Sequence, residues 1–259
     1  MDNLRKHGQP PYRVAVIHGG PGAPGEMKPV AEELAKDHGV LEPLQTKNTI
    51  ADQVDELVEV IVKQGQAPIT LIGFSWGAIL SFVLTANYPN LVKKLILVSS
   101  AVFKDSYAAD IMPTRLSRLT EEDRNKIDQL LFSLNDPDNA HKDRTFSELG
   151  QMISRVDLLN PLPDNHEKPK VQYEIYKQVW AEAEALRRSG ELVALGENIQ
   201  CPVVAIHGDY DPRPAEGVKT PLSSVVHDFK FILLAKCGHD PWREKGAKDR
   251  FYQIIKKEL

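Results

Sequence analysis

Short apolar runs alternate with amphipathic helical stretches along this chain, and that alternation leaves few architectures open. The runs "YRVAVIH" (12–18), "VLEPLQT" (40–46), "APITLIGF" (67–74) and "KKLILVSSA" (93–101) read as strands. Between them lie a helix near 25–38, "TIADQVDELVEVIVKQG" (49–65) and "WGAILSFVLTANY" (76–88). In the 49–65 stretch Ile50, Val54, Leu57, Val58 and Ile61 share one helical face. The pattern resumes at "CPVVAIHG" (201–208) and "KFILLAKCG" (230–238) and closes on a helical "GAKDRFYQIIKKEL". Strand–helix repetition of this kind implies an α/β fold: a mainly parallel sheet with helices on both faces.

From about 103 to 196 the strand signal disappears. "TEEDRNKIDQLLFSL" (120–134) and "VQYEIYKQVWAEAEALRRSG" (171–190) read as helices, with the proline-rich "NPLPDNHEKPK" (160–170) between them. The sheet needs the C-terminal strands to be completed, so residues 103–196 are expected to form a helical insertion. Residues 1–102 and 197–259 are then the two parts of one core. A chain of 259 residues has enough material for both. Net charge is −4 with interspersed signs, which carries no nucleic-acid footprint. No apolar stretch is long enough to span a bilayer, and the polar start "MDNLRKHGQPPYR" has no secretory h-region. Cys201 and Cys237 would sit at opposite ends of neighbouring parallel strands, about 20 Å apart and out of bridging range. Free thiols fit a reducing compartment, so a cytoplasmic protein without membrane or nucleic-acid partners is expected.

Three loops follow predicted strands at the sheet edge where open parallel sheets bind ligands. In "GFSWG" (73–77) a serine stands between glycines where a strand gives way to a helix, an arrangement that lifts the hydroxyl of Ser75 onto a tight turn. The helix that follows points its free N–H groups at any bound oxygen. "IHGGPG" (17–22) can aim backbone N–H groups inward, so Gly20 or Gly19, together with Trp76, are the expected oxyanion donors. A serine hydroxyl hardly ionises at neutral pH; it needs a base, and the base needs a carboxylate to fix its tautomer. His239 in "AKCGHDPW" (235–242) and Asp211 in "IHGDYDPRP" (206–214) supply them, with Asp209 as the competing acid. His18 is expected to shape its loop by hydrogen bonding. His7, His38, His141, His166, His207 and His227 are expected to be solvated or structural. No His, Cys and carboxylate cluster has metal-ligand spacing, so neither a metal nor another cofactor is expected.

In order and separation, "HGGPG", "GFSWG", "GDYDP" and "CGHDPW" resemble the α/β-hydrolase superfamily across most of the chain. The order Ser75, Asp211, His239 is that of its catalytic triad. The family's acid stands three residues after the glycine of a G-x-x-D loop, which maps onto Gly208 and Asp211. Its cap insertion maps onto residues 103–196. The family's usual N-terminal strand pair has no room before Tyr12, so a shortened sheet of about six strands is expected. "HGGPG" joined to G-x-S-W-G is similar to the prolyl iminopeptidase group, which releases N-terminal proline and holds the free amine with cap carboxylates. "VWAEAEAL" (179–186) resembles the segment that supplies them, which makes Trp180, Glu182 and Glu184 candidate substrate contacts.

The resulting expectation is acyl transfer to Ser75 from a small ester or peptide substrate, followed by hydrolysis. A proline-releasing aminopeptidase and a carboxylesterase both fit. A ligand-binding member of the fold without catalysis is the reading from a different class.

Overall fold

The computed structural model describes residues 3–163 and 170–259; His166 and much of the 160–170 stretch lie outside the described residues. One sheet of seven strands organises the described residues: β1 (Leu4–His7), β2 (Tyr12–Ile17), β3 (Gly39–Pro43), β4 (Ile69–Phe74), β5 (Val92–Val98), β6 (Val203–Gly208) and β7 (Phe229–Leu234). Their order across it is β1-β3-β2-β4-β5-β6-β7. Every neighbouring pair is parallel except β1 with β3.

The helices are α1 (Lys28–Leu34), α2 (Ile50–Gln64), α3 (Trp76–Asn87), α4 (Ile111–Ser117), α5 (Glu121–Asn135), α6 (Lys142–Asp157), α7 (Tyr173–Ser189), α8 (Glu191–Ala194), α9 (Glu216–Val225) and α10 (Lys248–Glu258). Strand residues alternate between two apolar layers, as the pleat requires. Ala15, Ile17, Leu71, Leu95, Leu97, Val203 and Ala205 face α2, α3 and α9. Val14, Val16, Ile72, Ile96, Val98, Val204 and Ile206 face α1 and α10. Helix α3 is buried from Trp76 to Ala86, so it has no solvent face to pattern. Thr49 starts α2 by accepting a hydrogen bond from the N–H of Asp52, the usual service of an N-cap threonine.

The sheet has one strand more than the six expected. Gly8, with φ 71°, reverses the chain so that Leu4–His7 runs back along β3, from Leu4 opposite Pro43 to His7 opposite Val40. The polar sequence LRKH hid this strand because its partner contacts are ionic. His7 Nε2 lies 2.8 Å from a buried Glu42 carboxylate, and Arg5 lies 3.4 Å from it. Charged side chains are a common means of blunting an edge strand.

Helices α4 to α8 lie between β5 and β6. Helices α5 and α6 share a small apolar cluster of their own, built on Ile127, Leu130, Leu134, Leu149 and Met152 with Tyr173. Helix α7 instead buries Val179 and Ala183 in the main core, with Trp180 and Leu186 packed beside them. Cys201 and Cys237 are buried free thiols. Among the described residues no helix is long and apolar enough to cross a membrane.

Candidate active site

Ser75 occupies the turn between β4 and α3 with φ 52° and ψ −112°. A positive φ on a residue with a side chain costs about 1–3 kcal/mol and persists only where its surroundings enforce it. Here the Ser75 N–H donates to the Val98 carbonyl (2.9 Å), and its own carbonyl accepts from Ala78 N–H (3.2 Å). The flanking glycines serve a different end from the one the sequence suggests. Neither has a positive φ; the serine alone takes that strain. A Cβ on Gly73 would collide with the Gly77 carbonyl, and one on Gly77 with the carbonyl oxygens of His18 and Ile17. The glycines let β2, β4 and α3 close up, and this packing holds the serine in place.

The glycine loop after β2 is fixed by His18, which is fully buried. Its Nδ1 donates to the Gly19 carbonyl (2.6 Å) and its Nε2 accepts from Gln45 N–H (3.3 Å). Burial pulls its pKa down to about 4, so the ring is neutral with the proton on Nδ1. The Gly19 N–H is turned to the carboxyl of Glu26. Burial and the neighbouring Asp240 push that carboxyl up to about 8, against the pull of Arg243 and Arg213. The N–H groups of Gly20 and Trp76 make no hydrogen bond among the described residues. The Trp76 indole is tied off separately, donating to Gln53 Oε1 at 3.2 Å.

On the other side, the loops after β6 and β7 bring Asp211 and His239 together: His239 Nδ1 donates to Asp211 Oδ2 at 2.6 Å. Burial alone would raise the Asp211 carboxyl, but the charges of His239 and Arg213 hold it far below the ordinary carboxylate range. Asp209 is engaged elsewhere, accepting the N–H groups of Lys236 and Cys237. His207 donates from Nε2 to the Arg213 carbonyl (2.9 Å), and burial lowers its pKa. The His239 ring packs 4.8 Å from that of Phe74, the residue before Ser75. Its Nε2 has no hydrogen-bond partner among the described residues, the Ser75 hydroxyl included.

Helix α7 covers the glycine loop, with Gln172 N–H donating to the Gly22 carbonyl at 2.8 Å. Trp180 lies edge-on to Trp76 at 6.3 Å and stacks on Tyr176 at 6.2 Å. The two candidate glutamates of this helix, Glu182 and Glu184, have other neighbours. Glu182 Oε2 accepts the N–H of Ile50 (2.7 Å) at the start of α2, and the half-buried Glu184 lies 4.0 Å from Arg187. Glu182 also lines a cleft of about 700 Å³ between α2, α3, α7 and α8, whose walls include none of Ser75, Asp211 and His239. Sequence reasoning missed Asp157 of α6, which meets Arg213 and the His239 N–H, and Arg115 of α4, which pairs with Asp157. It also missed Glu244, whose carboxylate gathers the N–H groups of Gly238, Leu159 and Asn160. None of the three stands in a local motif.

Ethanol acetyltransferase 1 of Cyberlindnera jadinii is 27% identical over 160 residues, 59% of this chain. The match takes in 46% of that protein, so the chain spans about half the length of the curated relative it matches. A thermophilic esterase from Thermogutta terrifontis superposes with a TM-score of 0.68 at 19% identity, covering 99% of this chain and 92% of the other. The enol-lactonase from Burkholderia xenovorans LB400 gives 0.62 at 16%, covering 98% and 94%. At those identities the likeness is one of fold. The sequence profile of the alpha/beta hydrolase fold matches residues 21–241, most of the chain, and the protein belongs to that family.

Proposed function

We propose that the protein is a serine hydrolase that cleaves a small carboxylic ester through an acyl-enzyme on Ser75. In this reading the Ser75 hydroxyl attacks the carbonyl carbon and His239 Nε2 takes its proton. Asp211 fixes the Nδ1–H tautomer and stabilises the imidazolium. The N–H groups of Gly20 and Trp76 receive the developing oxyanion, and each such donor is worth about 3–4 kcal/mol in the transition state. The imidazolium returns its proton to the leaving alcohol. Water, deprotonated by the same nitrogen, then releases the acid. Residues 103–196 act as the cap over this site, between core parts 1–102 and 197–259.

The observation that carries the proposal is the 2.6 Å contact of His239 Nδ1 with Asp211, with Nε2 unpartnered among the described residues and the ring 4.8 Å from that of Phe74, the residue before Ser75. Two observations favour an ester over a peptide amine. The stacked rings of Trp180 and Tyr176, backed by the buried Trp76, offer an apolar surface for an acyl group. Of the candidate amine-binding carboxylates, Glu182 is bonded to the Ile50 N–H, and Glu184 lies 4.0 Å from Arg187 and within electrostatic range of Tyr176. The likeness to an ethanol acetyltransferase supports a second reading, in which an alcohol replaces water as acyl acceptor.

Hydrolysis of 4-nitrophenyl acetate and of proline 2-naphthylamide, with fluorophosphonate labelling, tests this. Wild type is expected to cleave the ester, to take the label at Ser75 and to leave the amide intact. Ser75→Ala should lose about 10⁶-fold in turnover with its fold retained. Acetyl transfer to added ethanol would mark the second reading. A wild-type protein that is neither labelled nor active would return the chain to the ligand-binding class.

A further inference from the structure

Beside the acid–base pair lies a charge cluster that the proposed chemistry leaves unused. Arg213 follows Asp211 by two residues. Its backbone N–H donates to Asp211 Oδ1 (3.0 Å), and its guanidinium Nη1 reaches both that oxygen (3.2 Å) and Asp157 Oδ2 (3.1 Å). Asp157, the last residue of α6, is also clamped by Arg115 of α4, Nε to Oδ1 at 2.8 Å and Nη2 to Oδ2 at 2.6 Å. The Asp157 carbonyl accepts the backbone N–H of His239 (2.8 Å). These side chains are 0% (Asp211), 5% (Asp157), 14% (Arg213) and 12% (Arg115) exposed. Charges this close and this little hydrated act on one another far more strongly than surface pairs do.

We propose that Arg213 and Asp157 are positioning residues with opposite effects on the base: Arg213 offsets part of the negative charge that Asp211 presents to the imidazole of His239, and Asp157 offsets part of Arg213. The proposal rests on the reading of Ser75, His239 and Asp211 as one catalytic unit. A carboxylate left wholly to the imidazole would make a base that binds its proton well but returns it poorly. Sharing that carboxylate with a guanidinium keeps the base near the operating pH, where proton transfer in both directions is fast.

The other charged and titratable groups around the pair are placed as follows. From β6, the neutral His207 stands 3.7 Å from Asp211 Oδ2. Arg118 lies over the Tyr210 ring and donates to the carbonyls of Tyr210 and Val156. Tyr176 of α7 feels both Arg115 and Arg213. Glu26 and Asp240 lie on the glycine-loop side, with Arg243 donating to Asp240 at 3.0 Å.

The test is the pH profile of kcat/KM for 4-nitrophenyl acetate in Arg213→Met, Asp157→Asn and Arg213→Lys, with melting temperature and fluorophosphonate labelling measured alongside. Removing the cation should move the acid limb up by about one pH unit, the scale on which a neighbouring charge acts. Asp157→Asn leaves Arg213 undivided and should move the limb down by a smaller amount. Arg213→Lys should restore its wild-type place. If Arg213 and Asp157 only hold the loops together, the variants lose activity and melt earlier while the limb stays fixed, and the proposal falls. Should Arg213→Met fail to fold, the shape-conserving Asp157→Asn decides by the sign of its shift. An unlabelled wild type sinks the catalytic reading itself; a labelled wild type with unmoved limbs sinks the pairing alone.

Discussion

Around Ser75 the protein is shaped by backbone, and around His239 by charged side chains. On the Ser75 side, two glycines let three elements meet, the serine takes a φ of 52°, and the N–H groups of Gly20 and Trp76 make no hydrogen bond among the described residues. On the His239 side, Asp211, Arg213, Asp157 and Arg115 are linked by ion pairs of 2.6–3.2 Å. The two constructions fail in different ways. Close backbone packing is insensitive to salt but has no room for one added methyl group. A buried ionic chain tolerates small changes of volume, but removing one partner strands a charge at a cost of about 3–5 kcal/mol.

Asp211→Asn should break the charged side most completely. The amide reverses the polarity of the hydrogen bond to Nδ1 and favours the wrong imidazole tautomer, so kcat for ester hydrolysis should fall about 10⁴-fold. The matching change at Asp209 strips acceptors from the Lys236 and Cys237 N–H groups and should show first as a lower melting temperature. Full activity in Asp211→Asn with loss in Asp209→Asn would reassign the acid.

Gly77→Ala asks the same question of the backbone side. The added methyl would meet the carbonyls of His18 and Ile17, which belong to β2 and its loop and cannot swing aside as a side chain can. We expect about 4 kcal/mol of destabilisation in urea unfolding, in the range reserved for overpacking at a tight site. Gly150→Ala in α6 is the control, because nothing lies within 4 Å of its Cβ position. There alanine should gain roughly 0.5–1 kcal/mol through helix propensity. Equal effects at the two positions would show that the contact between β2 and α3 is looser than its geometry implies.

What the sequence made legible follows from the same division. Parallel strands buried on both faces announce themselves as branched runs, and the loops bearing Ser75, Asp211 and His239 each follow such a run. β1 escaped notice because an edge strand paired through His7, Arg5 and Glu42 has no apolar pattern. Helix α9 escaped because Pro221 and a serine pair interrupt its periodicity. Arg115 and Asp157 were out of reach for another reason: they stand 42 residues apart, and Asp157 is 56 from Arg213, so only the folded insertion brings them together. The glycines of the serine turn were visible, but their task was not. A sequence shows that a side chain is missing; it does not show whether a turn or a neighbouring strand needs the space.

His18 gives the smallest and most discriminating test of the comparison. Its ring titrates near 4 in the folded protein against 6.5 when unperturbed, because burial disfavours the charged form. Between those values the unfolded chain takes up a proton that the folded one refuses. The stability owed to the neutral ring is therefore complete above pH 6.5 and drains away as pH falls toward 4, about 3 kcal/mol in all. Asp211 and Asp157, whose carboxyls are held below their ordinary values, stay ionised through this window and lose their contribution only at lower pH. The acid weakness of the site thus lies with a buried neutral ring on the Ser75 side and not with the ion pairs of Asp211 and Asp157. His18→Asn, whose amide can still donate to the Gly19 carbonyl, should cost stability at pH 7 yet flatten the decline measured by urea unfolding between pH 7 and 4.5. Parallel declines in variant and wild type would move the acid-sensitive element to the ionic side and reverse the contrast between the two halves.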